Sequence, residues 1–351
     1  MPQTRLKTPA ITGACTPKEI LVAIPALNEA AHLEQCLGSL IGGDSFMRAV
    51  RVVVADGGSQ DGTPALVADL AVRYPALRLI RNPQKLQSAA INAAVSEMAA
   101  SSHRILVRCD AHSIYPTGYV RAVADSLAAR PEAAALVTPM DAAGSGCFQR
   151  AAAWIVDTPL GSGGSAHRGG HRSGWIDHGH HAGFKLDWFR QVGGYDESFS
   201  HNEDAELDHR LGLAGGKIWL DAHIRLAYTM RATPAALGRQ YWNYGRGRAR
   251  TVLKHRMRPR LRQMIPVINL LGLLAGGMLI PGFLAAALWP ATYAAVVAAA
   301  GLVGALQLRS LCGFWAGPAL AIMHNAWGAG FLVQVLFSLA ARTPAAARER
   351  V

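Results

Sequence analysis

The chain reads as an α/β protein: an open, mainly parallel sheet comes first, and an all-α membrane region follows. Three observations lead there. Apolar strand-like runs alternate with helix-like segments through the first half. Several of those runs end in short turns carrying an acid. The second half holds a basic run and then long stretches without charge.

In order, Ile20 to Ile24 is a short apolar run ended by Pro25, and Ala31 to Leu40 has helical spacing. The next strand, Val50 to Ala55, contains Val52, Val53 and Val54, a β-branched run suited to a strand covered on both faces. It breaks at Asp56-Gly57-Gly58, where glycines allow close backbone approach. Asp61-Gly62-Thr63 follows, and Pro64 is placed to open a helix over Thr63 to Arg73. Leu77 to Ile80 is a strand and the alanine-rich Ser88 to Ala100 a helix. Arg104 to Cys109 is a further strand, ending at Asp110-Ala111-His112. Pro116 to Ala129 reads as a helix and Ala134 to Thr138 as a strand. Gly144 to Gly183, rich in Gly, Ser and His, reads as a long mobile loop.

Charge divides the chain further. Every acidic residue except Glu349 lies at or before Asp221, so the net +12 belongs to the C-terminal part. Eleven Lys and Arg residues fall between Arg225 and Arg262, and no residue from Gln263 to Leu308 is charged. A basic flank before apolar segments is the pattern of a membrane protein at an anionic leaflet. Nucleic-acid binding accounts for the arginines but not for the apolar stretches, and is set aside. Those stretches are Met264 to Trp289, with Pro281 a candidate break, Ala291 to Leu308 and Trp315 to Leu339, against a bilayer core of roughly 30 Å. His324 and Asn325 in the third would be costly in lipid, so they imply a bundle-facing side or an interfacial segment. The five cysteines show neither metal-type spacing nor a paired framework. The polar N-terminus lacks an apolar core, which predicts no signal peptide and a catalytic half in the cytoplasm. The expected organisation is a flexible N-terminus (1–17), a catalytic domain (18–235), a basic amphipathic interface segment (236–263), transmembrane helices (264–340) and a tail (341–351).

Four acidic sites stand just after a strand or at a helix start: Glu29, Asp56, Asp110 and the cluster Glu203 to Asp208. Asp56 could be a plain turn residue, but the C-terminal ends of parallel strands are where such sheets bind ligands. Asp110 and His112 could share one divalent cation, with a diphosphate supplying further oxygens. At 203–208, Asn202 can cap a helix, and helix-end electrostatics suffice to explain Glu203, Glu206 and Asp208. Asp204 shares its side of the helix with Leu207, Asp208 and Leu211 and turns inward, whereas Glu203 lies about 100° away. An inward acid at a helix start is a candidate general base. His178, His180 and His181 have no Cys or further spaced ligand beside them and suit hydrogen bonding in an acceptor loop better than zinc.

Taken together, Pro25-Ala26-Leu27-Asn28-Glu29, Asp56 to Thr63, Asp110-Ala111-His112 and Glu203-Asp204 resemble the inverting family 2 glycosyltransferases of GT-A fold. His178 to Asp187, Tyr195 to Leu211, Gly215 to Asp221 and Arg239 to Gly247 are similar to the membrane-bound glucosyltransferases of succinoglycan-type exopolysaccharide synthesis. The resemblance covers about residues 18–340. It implies a Rossmann-like sheet and a UDP-sugar donor contacted by Pro25, Glu29, Asp56, Lys85 and Asp110. It further implies Mg2+ or Mn2+ on Asp110, with His112 beside it, and Asp204 as catalytic base. Glu203, Gln240, Tyr244 and Arg246 are the acceptor-side candidates.

The implied reaction moves a hexose, glucose first, to a saccharide on a polyprenyl diphosphate at the bacterial inner membrane, in company with other polysaccharide-assembly proteins. Two departures matter. The third position of the usual Asp-x-Asp is His112, which could bind metal or meet only phosphate. The Arg-Trp pair of the polymerising members' Gln-x-x-Arg-Trp is missing after Gln240, which argues against a processive synthase. Polyprenyl phosphate or another membrane lipid as acceptor, and a non-catalytic nucleotide-sugar-binding envelope protein, are the rival readings.

Overall fold

The computed structural model describes residues 14–340. They divide into two units: the chain up to Met140 with Gly170–Ala227, and Asp141–Gly169 with the chain from Tyr228 onward. The strands, in chain order, are β1 (Ile20–Ala26), β2 (Arg51–Asp56), β3 (Leu77–Arg81), β4 (Ile105–Arg108), β5 (Ala133–Val137), β6 (Met140–Ala143), β7 (Gly174–Ile176), β8 (His181–Lys185), β9 (Lys217–Leu220) and β10 (Leu226–Thr229).

Eight of them form one sheet in the order β3-β2-β1-β4-β8-β5-β9-β7, while β6 pairs with β10. β3, β2, β1 and β4 run parallel, as do β5 and β9; β8 and β7 enter antiparallel. The chain winds outward from β1 to β3 and then returns to place β4 on the other side of β1. That reversal is the switch point where open α/β sheets leave a crevice at their carboxyl edge.

The first unit's helices are α1 (Ala30–Ile41), α2 (Thr63–Arg73), α3 (Gln87–Met98), α4 (Tyr119–Ala128), α7 (Leu186–Gln191) and α8 (Glu203–Leu213). The valine run shows why layers form on both faces. Side chains alternate across a strand, so Val52 and Val54 pack with Leu33, Leu37 and Val67 on one face. Val53 packs with Ile91, Phe184 and Leu207 on the other.

The second unit holds α5 (Cys147–Val156), α6 (Pro159–Ser162), α9 (Pro234–His255), α10 (Leu261–Leu279), α11 (Leu288–Gln307) and α12 (Ala316–Ala340). α9 and α12 cross closely: a Cβ on Gly245 would sit 2.0 Å from the Trp327 carbonyl oxygen, and one on Gly330 2.2 Å from that of Trp242. Missing side chains at such crossings let helix backbones approach. Three helical segments, Leu261–Leu279, Leu284–Gln307 and Leu311–Ala340, are long and apolar enough to cross a membrane. Large apolar side chains such as Met278, Leu284 and Leu311 are 80–82% exposed on them, a surface suited to lipid. In α12, Asn325 Oδ1 accepts a hydrogen bond from Asn269, and the His324 ring meets Tyr293 Oη and the Leu160 carbonyl.

Several expectations are corrected. Residues 144–183 are not one mobile loop: α5, α6, β7 and the first residues of β8 lie within them. The apolar stretch from Met264 to Trp289 does break at Pro281, as its position allowed: the helix ends at Leu279, and a 3-10 turn at Leu284–Ala287 leads into α11. The cysteines do include a pair, since Cys147 is disulfide-bonded to Cys312 across 165 positions. The expected N-terminal segment lies largely, and the tail wholly, outside the described residues.

Candidate active site

The carboxyl edge of the sheet is built by two loops and one antiparallel strand. After β1, Asn28 adopts a left-handed conformation (φ 56°), and its loop is stitched to the loop after β2. Ser59 Oγ accepts from Asn28 N–H and Asn28 Oδ1 accepts from Gln60 N–H, at 2.7 and 2.9 Å. Thr63 Oγ1 accepts from Glu29 N–H and Asp61 Oδ2 accepts from Ala30 N–H. Asp56, at the end of β2, turns its carboxylate onto Gly58 N–H, Ser59 N–H and Ser59 Oγ. The carboxylate that could meet a nucleotide therefore also shapes its own turn. Lys85 is exposed and left-handed (φ 59°) in the turn before α3. Pro25 is partly buried within β1.

Asp110 follows β4 directly. Its Oδ1 accepts from Gln87 Nε2 at 3.0 Å, and its Oδ2 lies 3.3 Å from His180 Nε2. His112, two residues on, points elsewhere: its Nδ1 lies 3.2 Å from Glu29 Oε1. Burial pushes the Asp110 carboxyl up, but hydrogen bonding and charge from His180, helped by Arg108, hold it well below the usual carboxylate range.

β8 explains why histidines lie here. Because it pairs antiparallel with β4, with Val107 opposite Gly183, its first residues arrive where β4 ends. His180 Nδ1 lies 3.3 Å from Asp204 Oδ2, so one imidazole spans Asp110 and Asp204. His181 Nδ1 lies 3.1 Å from Asp204 Oδ1, and its Nε2 2.6 Å from Asp208 Oδ1. His178 Nδ1 lies 2.7 Å from Asp208 Oδ2. The result is an alternating row of carboxylates and imidazoles, Asp110–His180–Asp204–His181–Asp208–His178.

Arg108, the last residue of β4, is buried and also reaches Asp204, its Nη1 2.5 Å from Oδ1. Tyr195 donates its hydroxyl to the same oxygen at 2.9 Å. Burial works against the Arg108 charge, yet Asp204, Tyr195, Asp110 and Glu203 together raise its pKa well above normal. For Asp204, burial is outweighed by Arg108 and by hydrogen bonds from His180 and His181, so its carboxyl stays well below the usual range. Next to it, Glu203 is raised by its own burial and by the Asp204 charge. His181 is pulled down by burial but lifted further by Asp208 and Asp204, to about 9. It is therefore an imidazolium near neutrality.

The structure thus brings Asp110 and Asp204 together at the ends of β4 and the start of α8, with Glu203 alongside. Pro25, Glu29, Asp56 and Lys85 lie on or after the neighbouring strands β1, β2 and β3. Gln240, Tyr244 and Arg246 belong to α9 in the other unit, where Gln240 Nε2 donates to the hydroxyls of Tyr228 and Tyr244. The capping explanation for 203–208 is replaced. Asn202 is left-handed and makes no side-chain cap, Glu206 is fully buried against Arg210, and Asp208 serves His178 and His181. Arg108, Tyr195 and Gln87 escaped the sequence reading; a lone arginine ending an apolar strand was the available signal for the first.

Among the described residues no group of three or more His, Cys, Asp or Glu side chains is arranged to hold a metal ion. Asp110 nonetheless fits a hard cation as a single ionised oxygen ligand, with diphosphate oxygens and water completing the shell. His112 fits less well, its Nδ1 being engaged by Glu29.

A sheet of this order, with acids along the carboxyl edge of β1, β2 and β4, is of GT-A type. The chain belongs to glycosyl transferase family 2 and is a glycosyltransferase: the family model matches residues 21–193. It is 44% identical over 322 residues to the succinoglycan biosynthesis protein ExoA of Rhizobium meliloti (strain 1021), covering 90% of this chain and 94% of that one. Among solved structures, the mannosyltransferase PcManGT of Pyrobaculum calidifontis, determined with GDP-mannose and Mn2+, shares the fold at a TM-score of 0.58 and 20% identity, over 95% of this chain and 92% of that one.

Proposed function

We propose that the protein transfers a hexose, glucose first, from a UDP-sugar to a saccharide carried on a polyprenyl diphosphate, with inversion, in succinoglycan-type exopolysaccharide synthesis. The observation that carries the chemistry is the single imidazole, His180, spanning Asp110 and Asp204. Two carboxylates 94 positions apart in sequence (204 − 110) meet within one side chain's reach. The near-full-length relationship to a succinoglycan biosynthesis protein supports the pathway.

Glu29 and Asp56, with Pro25, are assigned to the nucleoside, and Lys85 to the nucleotide phosphates. Asp110 is assigned to a divalent cation, with His112 at the edge of that site; when bound, Mg2+ or Mn2+ supplies positive charge to the diphosphate. The acceptor hydroxyl attacks C1 from the face opposite the diphosphate. Its proton goes to Asp204 as the new C1–O bond forms, and the bond from C1 to the diphosphate oxygen breaks, its electron pair leaving with UDP. Arg108 and His181 keep Asp204 ionised and ready to accept. Glu203, Gln240, Tyr244 and Arg246 are assigned to the acceptor. The basic run of α9 and the following turn suits an anionic inner-membrane leaflet, each basic residue contributing about 1 kcal/mol near the surface. On this reading the catalytic unit is assigned to the cytoplasmic side, where other polysaccharide-assembly proteins would share the acceptor.

Membranes containing the full chain, given a panel of labelled UDP- and GDP-sugars, test the proposal. Label from UDP-glucose in a lipid-extractable saccharide supports it. Label only from GDP-mannose, or only on free polyprenyl phosphate, overturns the donor or the acceptor respectively.

A further inference from the structure

Asp204 is not the end of the row of charges. Beyond it the row runs inward, away from the oxygen that faces Asp110. Asp204 Oδ1 is taken by three donors: Arg108 Nη1, Tyr195 Oη and His181 Nδ1. Asp204 Oδ2 meets His180 alone among the contacts described. The His181 ring is fully buried, as is Asp208 but for 2% of its side chain. The Phe184 ring packs 4.5 Å from the imidazole, and Tyr195 stands at its edge. Buried charge of this kind is expensive unless paired on every side. Here Asp208 is paired twice over, by His181 and by His178, and accepts the Gly179 N–H as well.

We propose that Asp208, acting through His181, is a positioning residue for the base: the pair pins Oδ1 of Asp204 and turns Oδ2 toward the acceptor. The inference rests on the reading of Asp204 as the base. The geometry is that of a carboxylate orienting an imidazole, with the imidazole in turn orienting a second carboxylate. Both ring nitrogens of His181 face an acceptor oxygen, so the ring has to carry two protons to satisfy both. His180, 23% exposed and the partner of Oδ2 among the described residues, is the group an acceptor hydroxyl would displace.

Among the described residues, the charged and titratable groups set around Asp204, His181 and Asp208 come from four parts of the chain. From α8 come Asp204, Asp208 and Glu203; from β4, Arg108; from the segment after α7, Tyr195; and from the approach to β8, His178 and His180. Without the Asp208 charge, the fully buried His181 would lose its larger stabilising partner and give up its second proton more readily. Asp204 would then lose a cationic hydrogen bond and hold its proton more readily.

The test is the pH profile of turnover in the Asp208→Asn variant, measured on membranes with labelled UDP-glucose and counted as lipid-extractable label. Turnover should fall ten-fold or more with the donor KM within two-fold, and the acid limb should move up by half a pH unit or more. A fall with an unmoved limb would make Asp208 merely structural and overturn the proposal, as would unchanged turnover. If Asp208→Asn does not fold, His178→Gln decides, since it removes the outer partner of Asp208. That substitution weakens the outer end of the row, so a smaller limb shift is expected in the same direction, and none would overturn the proposal. Failure of the underlying reading looks different: Asp204→Asn would then retain turnover whatever Asp208 does.

Discussion

Arg108 Nη1 lies 2.5 Å from Asp204 Oδ1, an ion pair with the guanidinium only 3% exposed. A buried cation at the end of a central strand holds together acids that would otherwise repel one another: Asp204 directly, with Asp110 at 3.9 Å and Glu203 at 4.0 Å. Removing it should leave three carboxyls facing each other. Arg108→Ala is therefore expected to lower stability by about 3–5 kcal/mol, the usual cost of breaking a buried pair. Thermal unfolding in detergent checks this; a melting point unchanged within a degree would contradict it.

Asp204→Asn keeps the shape of the side chain but removes its ability to take a proton. Turnover should fall by about 10²–10⁴-fold, the range for general-base loss, while UDP binding stays within two-fold. Calorimetric titration with UDP beside a transfer assay separates the two effects.

Asp110→Ala should weaken UDP binding in the presence of Mn2+ by at least ten-fold and leave metal-free binding nearly as it was. Titration with and without EDTA reads this difference. Equal losses in both conditions would remove the cation from Asp110.

His181 supplies a pH dependence of stability with a definite sign. Its folded pKa is raised from 6.5 to about 9, so folding binds a proton more tightly than the unfolded chain does. The contribution is fully present below about pH 6.5 and is lost as pH climbs through about 9. Melting temperature should fall across that window and fall less steeply in His181→Gln.

Gly330→Val would drive a side chain into the Trp242 carbonyl. Overpacking of this sort costs roughly 1–3 kcal/mol, and the yield of folded protein in membranes should drop accordingly.

What the sequence made legible follows from locality. The β-branched run at 52–54, its glycine break and the acids after β1, β2 and β4 are short-range signals, and they mark the edge of the sheet where the acids lie. The remainder depended on pairings between distant residues. Arg108 looks like part of an apolar strand until Asp204, 96 positions away, arrives beside it. His181 sits in a glycine- and histidine-rich stretch whose composition suggests a loop; only its antiparallel pairing between β4 and β5 makes it a strand. Cys147 and Cys312 share no local pattern at all.

The chain enters the helical unit twice, first for α5 and α6 and again from Tyr228. On the first visit it leaves Phe148, Ala151, Ala152 and Ile155 packed with Ala316, Ala319, Leu320 and Met323, which arrive about 160 residues later. No single cut can therefore release the sheet as a soluble enzyme. Any protein ending ahead of the spans would keep α5 with its oily side bare, and protease trimming from the C-terminus should yield aggregates before it yields a catalytic fragment.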